Sequence, residues 1–94
     1  MRYSAELIPS EVMSMLVERV KAHRKRHKIS QQKLAERSGV SFGSIKRFET
    51  SGEISLVSLL KIAQVLNCLE DFQQLFSLEN NQEDIKKLFS DNPQ

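Results

Sequence analysis

The segment from Ser30 to Glu49, which reads SQQKLAERSGVSFGSIKRFE, constrains the fold of this chain more than any other part of it. Two short helical patterns meet there, because apolar residues before and after Gly39 recur at intervals that bury one face of a helix: Leu34, Ala35, Ile45 and Phe48. A glycine that ends a helix adopts positive φ without a Cβ clash and turns the chain sharply. Ser41 then serves as an N-cap, since its hydroxyl accepts from the free N–H groups that open a helix. The segment predicts two helices that meet at a steep angle.

Length and composition favour one all-α domain. A chain of 94 residues has room for a single modest core, and its aliphatic residues recur at helical intervals with little alternation. Residues 1–8 are predicted to form a short arm, residues 9–77 a five-helix domain, and residues 78–94 an extension. The predicted helices cover about 9–27, 31–38, 42–49, 56–66 and 69–76. The extension has the spacing of a short amphipathic helix, with Ile85, Leu88 and Phe89 on one face.

Two of these helices have apolar positions that predict a buried face. In the first helix the predicted buried stripe is Val12, Leu16, Val20 and His23, with Met13 and Val17 alongside it. In the fifth helix the predicted buried residues are Leu69, Phe72, Leu75 and Phe76.

Charge is distributed unevenly, although the chain as a whole carries only +2. Residues 19–50 contain ten Lys or Arg against two Glu, a net of +8, whereas residues 70–94 contain six acidic residues against two Lys, a net of −4. The basic half contains the two-helix segment, as a polyanion-binding protein requires. Its densest cluster is Arg24, Lys25, Arg26 and Lys28, which would contact phosphates or simply form a solvated helix end.

Several classes of protein are not expected from this sequence. Cys68 is the single cysteine and lies in an apolar run, so neither a disulfide nor a cysteine metal cluster is predicted, and a reducing cytoplasm fits. His23 and His27 have the spacing of zinc ligands but no evident third ligand. No carboxylate pair, activated nucleophile or phosphate-binding glycine loop indicates an enzyme or a cofactor. No apolar run approaches the roughly 18 residues of a membrane span, and no signal-peptide layout is evident.

The central segment resembles the helix-turn-helix of the Xre family, which includes the lambda and 434 phage repressors. The resemblance covers about residues 12–76 and is carried by the caps, the glycine and the core positions: Ser30, Gln31, Leu34, Ala35, Gly39, Val40, Ser41, Ile45 and Glu49. It implies a five-helix, lambda repressor-like DNA-binding domain. In that family the third helix enters the major groove, and the N-terminus of the second rests on the phosphate backbone.

The resemblance also implies roles for individual residues. Base reading falls to Phe42, Gly43, Lys46 and Arg47. Because Phe42 lacks a hydrogen-bonding group and Gly43 a side chain, most of the specificity is expected from the two cations: Arg47 on guanine O6 and N7, and Lys46 on guanine or a phosphate. Phe42 would contact a thymine methyl group or pack.

The remaining assignments concern the DNA backbone and the scaffold. Phosphate-backbone contacts are assigned to Gln31, Ser41, Ser44 and Lys28. Gln31 matches a family glutamine that binds a phosphate and braces the third helix. Arg24 and Glu49 match a pair that bridges the first and third helices, and Gly39 is the structural glycine of the turn.

A further likeness is to the short HipB-like antitoxins. It is carried by residues 41–66, SFGSIKRFETSGEISLVSLLKIAQVL. It implies a homodimer that binds a palindromic operator, represses its own operon and pairs with a HipA-like kinase toxin. The alternative is a phage-type or metabolic regulator without a toxin. If the domain does not bind DNA, binding to RNA or to a co-activator is expected instead. The apolar face of the extension is open to packing on its own domain, dimerisation or toxin contact.

Overall fold

In the computed structural model, residues 7–78 are described and fold into five α-helices without a β-strand among them. Their bounds are α1 (Pro9–Arg26), α2 (Gln31–Ser38), α3 (Phe42–Ser51), α4 (Leu56–Val65) and α5 (Leu69–Gln73). The all-α prediction is confirmed, and the first four helices fall within two residues of their predicted bounds. Most of the predicted arm and the predicted helix of the extension lie outside the described residues.

The helix ends follow from side-chain caps and glycines. The hydroxyls of Ser30, Ser41 and Ser55 accept from the backbone N–H three residues later at 3.0, 3.1 and 3.1 Å and so open α2, α3 and α4. Gly39 and Gly52 end α2 and α3 with φ of 78° and 85°. Only glycine adopts this left-handed conformation without strain, so these two positions fix where the helices stop.

The core lies between α2, α3 and α4. Its fully enclosed side chains are Leu34, Ile45 and Ile62, one from each of these helices. Val40, in the turn after Gly39, is also buried and joins the same cluster. α1 packs on α3, and α5 packs on α4. Of the two helices of the central segment, α2 therefore packs on α4 and α3 packs on α1.

The predicted buried face of α1 is partly wrong. Val17, which was predicted to lie alongside the stripe, is the buried residue of this helix, whereas Val12 is 40% exposed and His23 only half-buried. The side of α1 that faces α3 carries Met13, next to Gly52, and the buried Val17. Val12 and His23 are rotated away from that side, since they are not at helical spacing with it.

The predicted buried face of α5 is also largely wrong. Phe72 is half-buried, but Leu69 and Leu75 are exposed and Phe76 is 98% exposed. α5 stops at Gln73, and Phe76 has a φ of 61°, so the residues beyond the helix do not continue its face.

Candidate nucleic-acid interface

The turn between α2 and α3 is short and internally bonded. Gly39 donates its N–H to the carbonyl of Ala35 at 2.9 Å, which closes α2. The next amide, that of Val40, donates to Ser38 Oγ at 3.1 Å while the valine side chain enters the core. Ser41 then opens α3. The orientation of α3 relative to α2 is thus fixed by a buried side chain and by backbone hydrogen bonds.

Glu49 joins α3 to both preceding helices. Its carboxylate accepts from Arg24 of α1, with Nε at 2.8 Å and Nη2 at 3.0 Å, and from Gln31 Nε2 of α2 at 2.8 Å. Arg24 also donates to the carbonyl of Ile29 at 3.1 Å. Glu49 is only 9% exposed, so the carboxylate depends on these partners for its hydrogen bonds.

The ionisation of Glu49 reflects the same contacts. Burial alone would raise its pKa. The hydrogen bonds from Arg24 and then Gln31, with the positive charges of Arg24 and Lys21, outweigh burial and hold the pKa of Glu49 below its ordinary value of 4.5. The carboxylate is therefore charged at neutral pH, and it anchors α3 as an ion.

The opposite face of α3 is exposed. Phe42, Gly43, Lys46 and Arg47 all lie on it, while Ile45, Phe48 and Glu49 are buried. The Lys46 ammonium lies 5.2 Å from the centre of the Phe42 ring, a distance at which cation and ring attract. Phe42 therefore has a partner within its own helix, a contact that was not predicted from the sequence.

Arg47 contacts a residue that sequence reasoning missed. Its Nε donates to Glu53 Oε1 at 3.1 Å, and its Nη2 donates to the same oxygen. Glu53 lies in the loop after α3, for which no role was predicted. Gly52 is the signal in the sequence that could have predicted this contact. It ends the helix that carries Arg47, and Glu53 follows it directly, so the turn brings the two side chains close together.

Residues assigned to the DNA backbone lie on two sides of the turn. Ser41 Oγ accepts from the Ser44 amide and donates to Ser44 Oγ at 2.8 Å, so its hydrogen is already used. Ser44 Oγ accepts that bond and keeps its own hydrogen available. Gln31, at the first position of α2, directs its side-chain amide at Glu49. Lys28 is exposed, with a φ of 59° in the connection from α1 to α2.

The basic end of α1 divides into two groups. Arg24 points inward to Glu49 and its side chain is only 12% exposed, so it is not part of a solvated cluster. Lys25, Arg26 and Lys28 are exposed. His27 Nδ1 lies 2.9 Å from the carbonyl of His23. Within residues 7–78, no group of three or more His, Cys, Asp or Glu is placed to hold a metal ion.

The fold and this surface define a helix-turn-helix DNA-binding domain. The sequence profile of the HTH_3 family, described as helix-turn-helix, matches residues 20–73, which is more than half of the chain. The chain belongs to this Xre- and lambda-repressor-like family and is a DNA-binding transcription regulator. A comparison with curated proteins and one with solved structures gave no match. None of the described helices is long and apolar enough to cross a membrane.

Proposed function

We propose that the protein is a sequence-specific transcriptional repressor that binds a palindromic operator as a homodimer. The observation that carries this proposal is the two-sided character of α3. One side is fixed to α1 and α2 through Glu49, and the other presents Lys46 and Arg47 to solvent. A helix held rigidly by its buried side with cations on its free side suits insertion into the major groove.

Base reading is assigned to the exposed side of α3. Arg47 pairs with guanine O6 and N7, a contact that contributes about 1–3 kcal/mol of discrimination against other bases. Lys46 contacts guanine or a phosphate, and Phe42 orients its ammonium. A Cβ added at Gly43 would meet nothing within 4 Å in the free protein, so no packing requirement keeps this position small. In the complex, Gly43 lets the backbone of α3 approach the bases.

Backbone contacts are assigned to both sides of the turn. Ser44 donates its hydroxyl hydrogen to a phosphate, and Lys28 supplies a positive charge. Gln31 donates its backbone N–H, which lies at the N-terminus of α2, while Ser41 acts mainly as the cap of α3. If a dimer neutralises about six phosphates, the logarithm of its binding constant falls with the logarithm of salt concentration with a slope of roughly −5.

The small size of the reading surface supports the proposed homodimer. Four exposed positions of α3 are assigned to base reading, and only two of them, Lys46 and Arg47, carry side-chain hydrogen-bond donors. Two copies would read two half-sites about 34–36 Å apart, one helical turn of DNA. The operator is then a palindrome.

The test begins with selection of duplexes from a random pool by the 94-residue chain. The expected product is a palindrome whose half-sites lie one turn apart, with two chains per duplex by sedimentation. A selected site without dyad symmetry, bound by one chain, would contradict the homodimer. Failure to enrich any sequence would contradict sequence-specific repression.

The resemblance of residues 41–66 to HipB-like antitoxins supports a finer proposal, in which the repressor also holds a HipA-like kinase toxin. Co-expression with the product of the neighbouring reading frame, followed by pull-down, tests it. The variant K46A/R47A should still bind the toxin but no longer bind the operator, because its changes are confined to α3. If the product of the neighbouring reading frame does not bind the chain, the result favours the alternative, a phage-type or metabolic repressor without a toxin.

A further inference from the structure

The loop after α3 is built around Arg47. Ser51 Oγ donates to the Arg47 carbonyl at 2.8 Å and accepts from the Glu53 amide at 3.2 Å, so one hydroxyl joins the backbone of the arginine to that of the glutamate. Gly52 between them has a φ of 85°, and it lies so close to α1 that an added Cβ would be 3.1 Å from Met13 Cε. The backbone of Glu53 is therefore held in place independently of its side chain.

The contact between the two side chains uses one edge of the guanidinium. Nε and Nη2 of Arg47 both donate to Oε1 of Glu53. A guanidinium has five N–H donors in a fixed plane, and the Nε–Nη2 edge accounts for two of them. The edge formed by Nη1 and the second hydrogen of Nη2 stays open. A bidentate contact to guanine O6 and N7 can use that edge.

Folding stability does not explain this ion pair. The side chains of Arg47 and Glu53 are 70% and 56% exposed, and exposed pairs contribute little to stability because water and salt screen them. A carboxylate beside the reading surface also repels phosphates, which weakens binding to every sequence alike.

We propose that Glu53 is a specificity-determining positioning residue, which holds the Arg47 guanidinium with its Nη1–Nη2 edge directed at a guanine. This inference rests on the proposed function. Glu53 does not touch the DNA itself in this arrangement. It raises discrimination by limiting the rotamers of Arg47 before binding, so that less freedom is lost when the correct base is met.

In the opposite arrangement Glu53 is inhibitory, because it holds Arg47 away from the DNA. The two make different predictions for E53A. A positioning residue predicts lower discrimination between operator and unrelated DNA, with equal or tighter binding to unrelated DNA because a negative charge is gone. An inhibitory Glu53 predicts that E53A binds the operator more tightly and discriminates better between operator and unrelated DNA.

The experiment measures binding by fluorescence anisotropy to the duplex selected by the wild-type chain, to a scrambled duplex, and to selected duplexes in which single guanines are replaced by 7-deazaguanine, which lacks N7. For E53A the ratio of operator to scrambled affinity should fall about three- to tenfold, the range expected from releasing one long side chain. E53Q keeps an acceptor oxygen and should fall less. E18A removes a similarly exposed carboxylate, paired with Lys21 on α1, and should leave the ratio unchanged.

Arg47 provides the decisive control. In the wild type, one 7-deazaguanine position per half-site should weaken binding, and E53A should shrink that penalty. In an R47A background, E53A should change discrimination no further. A ratio that is unchanged or higher in E53A, or an equal loss with and without Arg47, would overturn the role of Glu53. If the wild type itself does not discriminate the two duplexes, the proposed function fails first and this inference fails with it.

Discussion

Arg24 of α1 forms a bidentate ion pair with Glu49 of α3, with Nε 2.8 Å from Oε2 and Nη2 3.0 Å from Oε1. The two residues are 25 positions apart, so the pair connects distant parts of the chain. Parallel hydrogen bonds fix orientation as well as distance. The pair therefore sets the angle at which α3 leaves the scaffold, and with it the direction of the exposed reading surface.

Removing one member of this pair should destabilise the fold more than removing both. R24M leaves a buried carboxylate without its cation and is expected to cost about 3–5 kcal/mol in the free energy of unfolding. R24M/E49L replaces both with apolar groups and should recover most of that loss. K25M, at the adjacent exposed position, should stay within about 0.5 kcal/mol of the wild type. Urea unfolding followed by circular dichroism measures all three, and a double variant no more stable than R24M would contradict this role of the pair.

The lowered pKa of Glu49 predicts a pH dependence of stability. Because the pKa is lower in the folded state than its ordinary 4.5, ionised Glu49 stabilises the fold above that value, and this contribution is lost as pH falls through the folded-state pKa. The wild type should therefore lose stability below about pH 4.5 more steeply than E49Q, which cannot ionise there. Unfolding free energies measured from pH 7 to pH 3 test this. Parallel curves for the two proteins would exclude Glu49 as a source of the acid sensitivity.

Gly43 should show opposite effects on folding and on binding. G43A has open space for its methyl group and a better helix propensity, so the free domain should be more stable by about 0.5 kcal/mol. If the backbone of α3 lies against the bases, the same methyl group should weaken operator binding. Thermal unfolding and anisotropy on the selected duplex give the two values. Unchanged operator affinity in G43A would show that this position does not approach the DNA.

The two positive-φ glycines form a matched pair that separates backbone strain from steric conflict. G39A meets no atom within 4 Å, so it should cost only the strain of a left-handed alanine, about 1–2 kcal/mol. A Cβ at Gly52 would lie 3.1 and 3.2 Å from Met13 Cε and Cβ. G52A should therefore be less stable than G39A. Chemical denaturation ranks them, and equal losses would mean that Met13 moves aside without cost.

Local signals predicted most of the scaffold. Ser30, Ser41 and Gly39 correctly predicted both ends of α2 and the start of α3, because capping depends on residues within one turn. The burial of α5 was mispredicted because apolar spacing does not reveal that the helix ends at Gln73. Pattern alone also did not find Glu53 beside Arg47 or Lys46 above Phe42, since both contacts depend on rotamers and on the loop path after α3.

The most direct test of the central claim, that the exposed side of α3 reads sequence, compares K46A/R47A with R19A/K61A. Both variants lose two positive charges, but Arg19 lines the cleft between α1, α4 and α5, and Lys61 is exposed on α4. Affinities for the selected and scrambled duplexes are measured by anisotropy at one salt concentration. For K46A/R47A the ratio of the two affinities should fall about a hundredfold or more, because both half-sites lose their base contacts. R19A/K61A should keep the wild-type ratio, whereas undiminished discrimination by K46A/R47A would contradict the assignment of α3 as the reading helix.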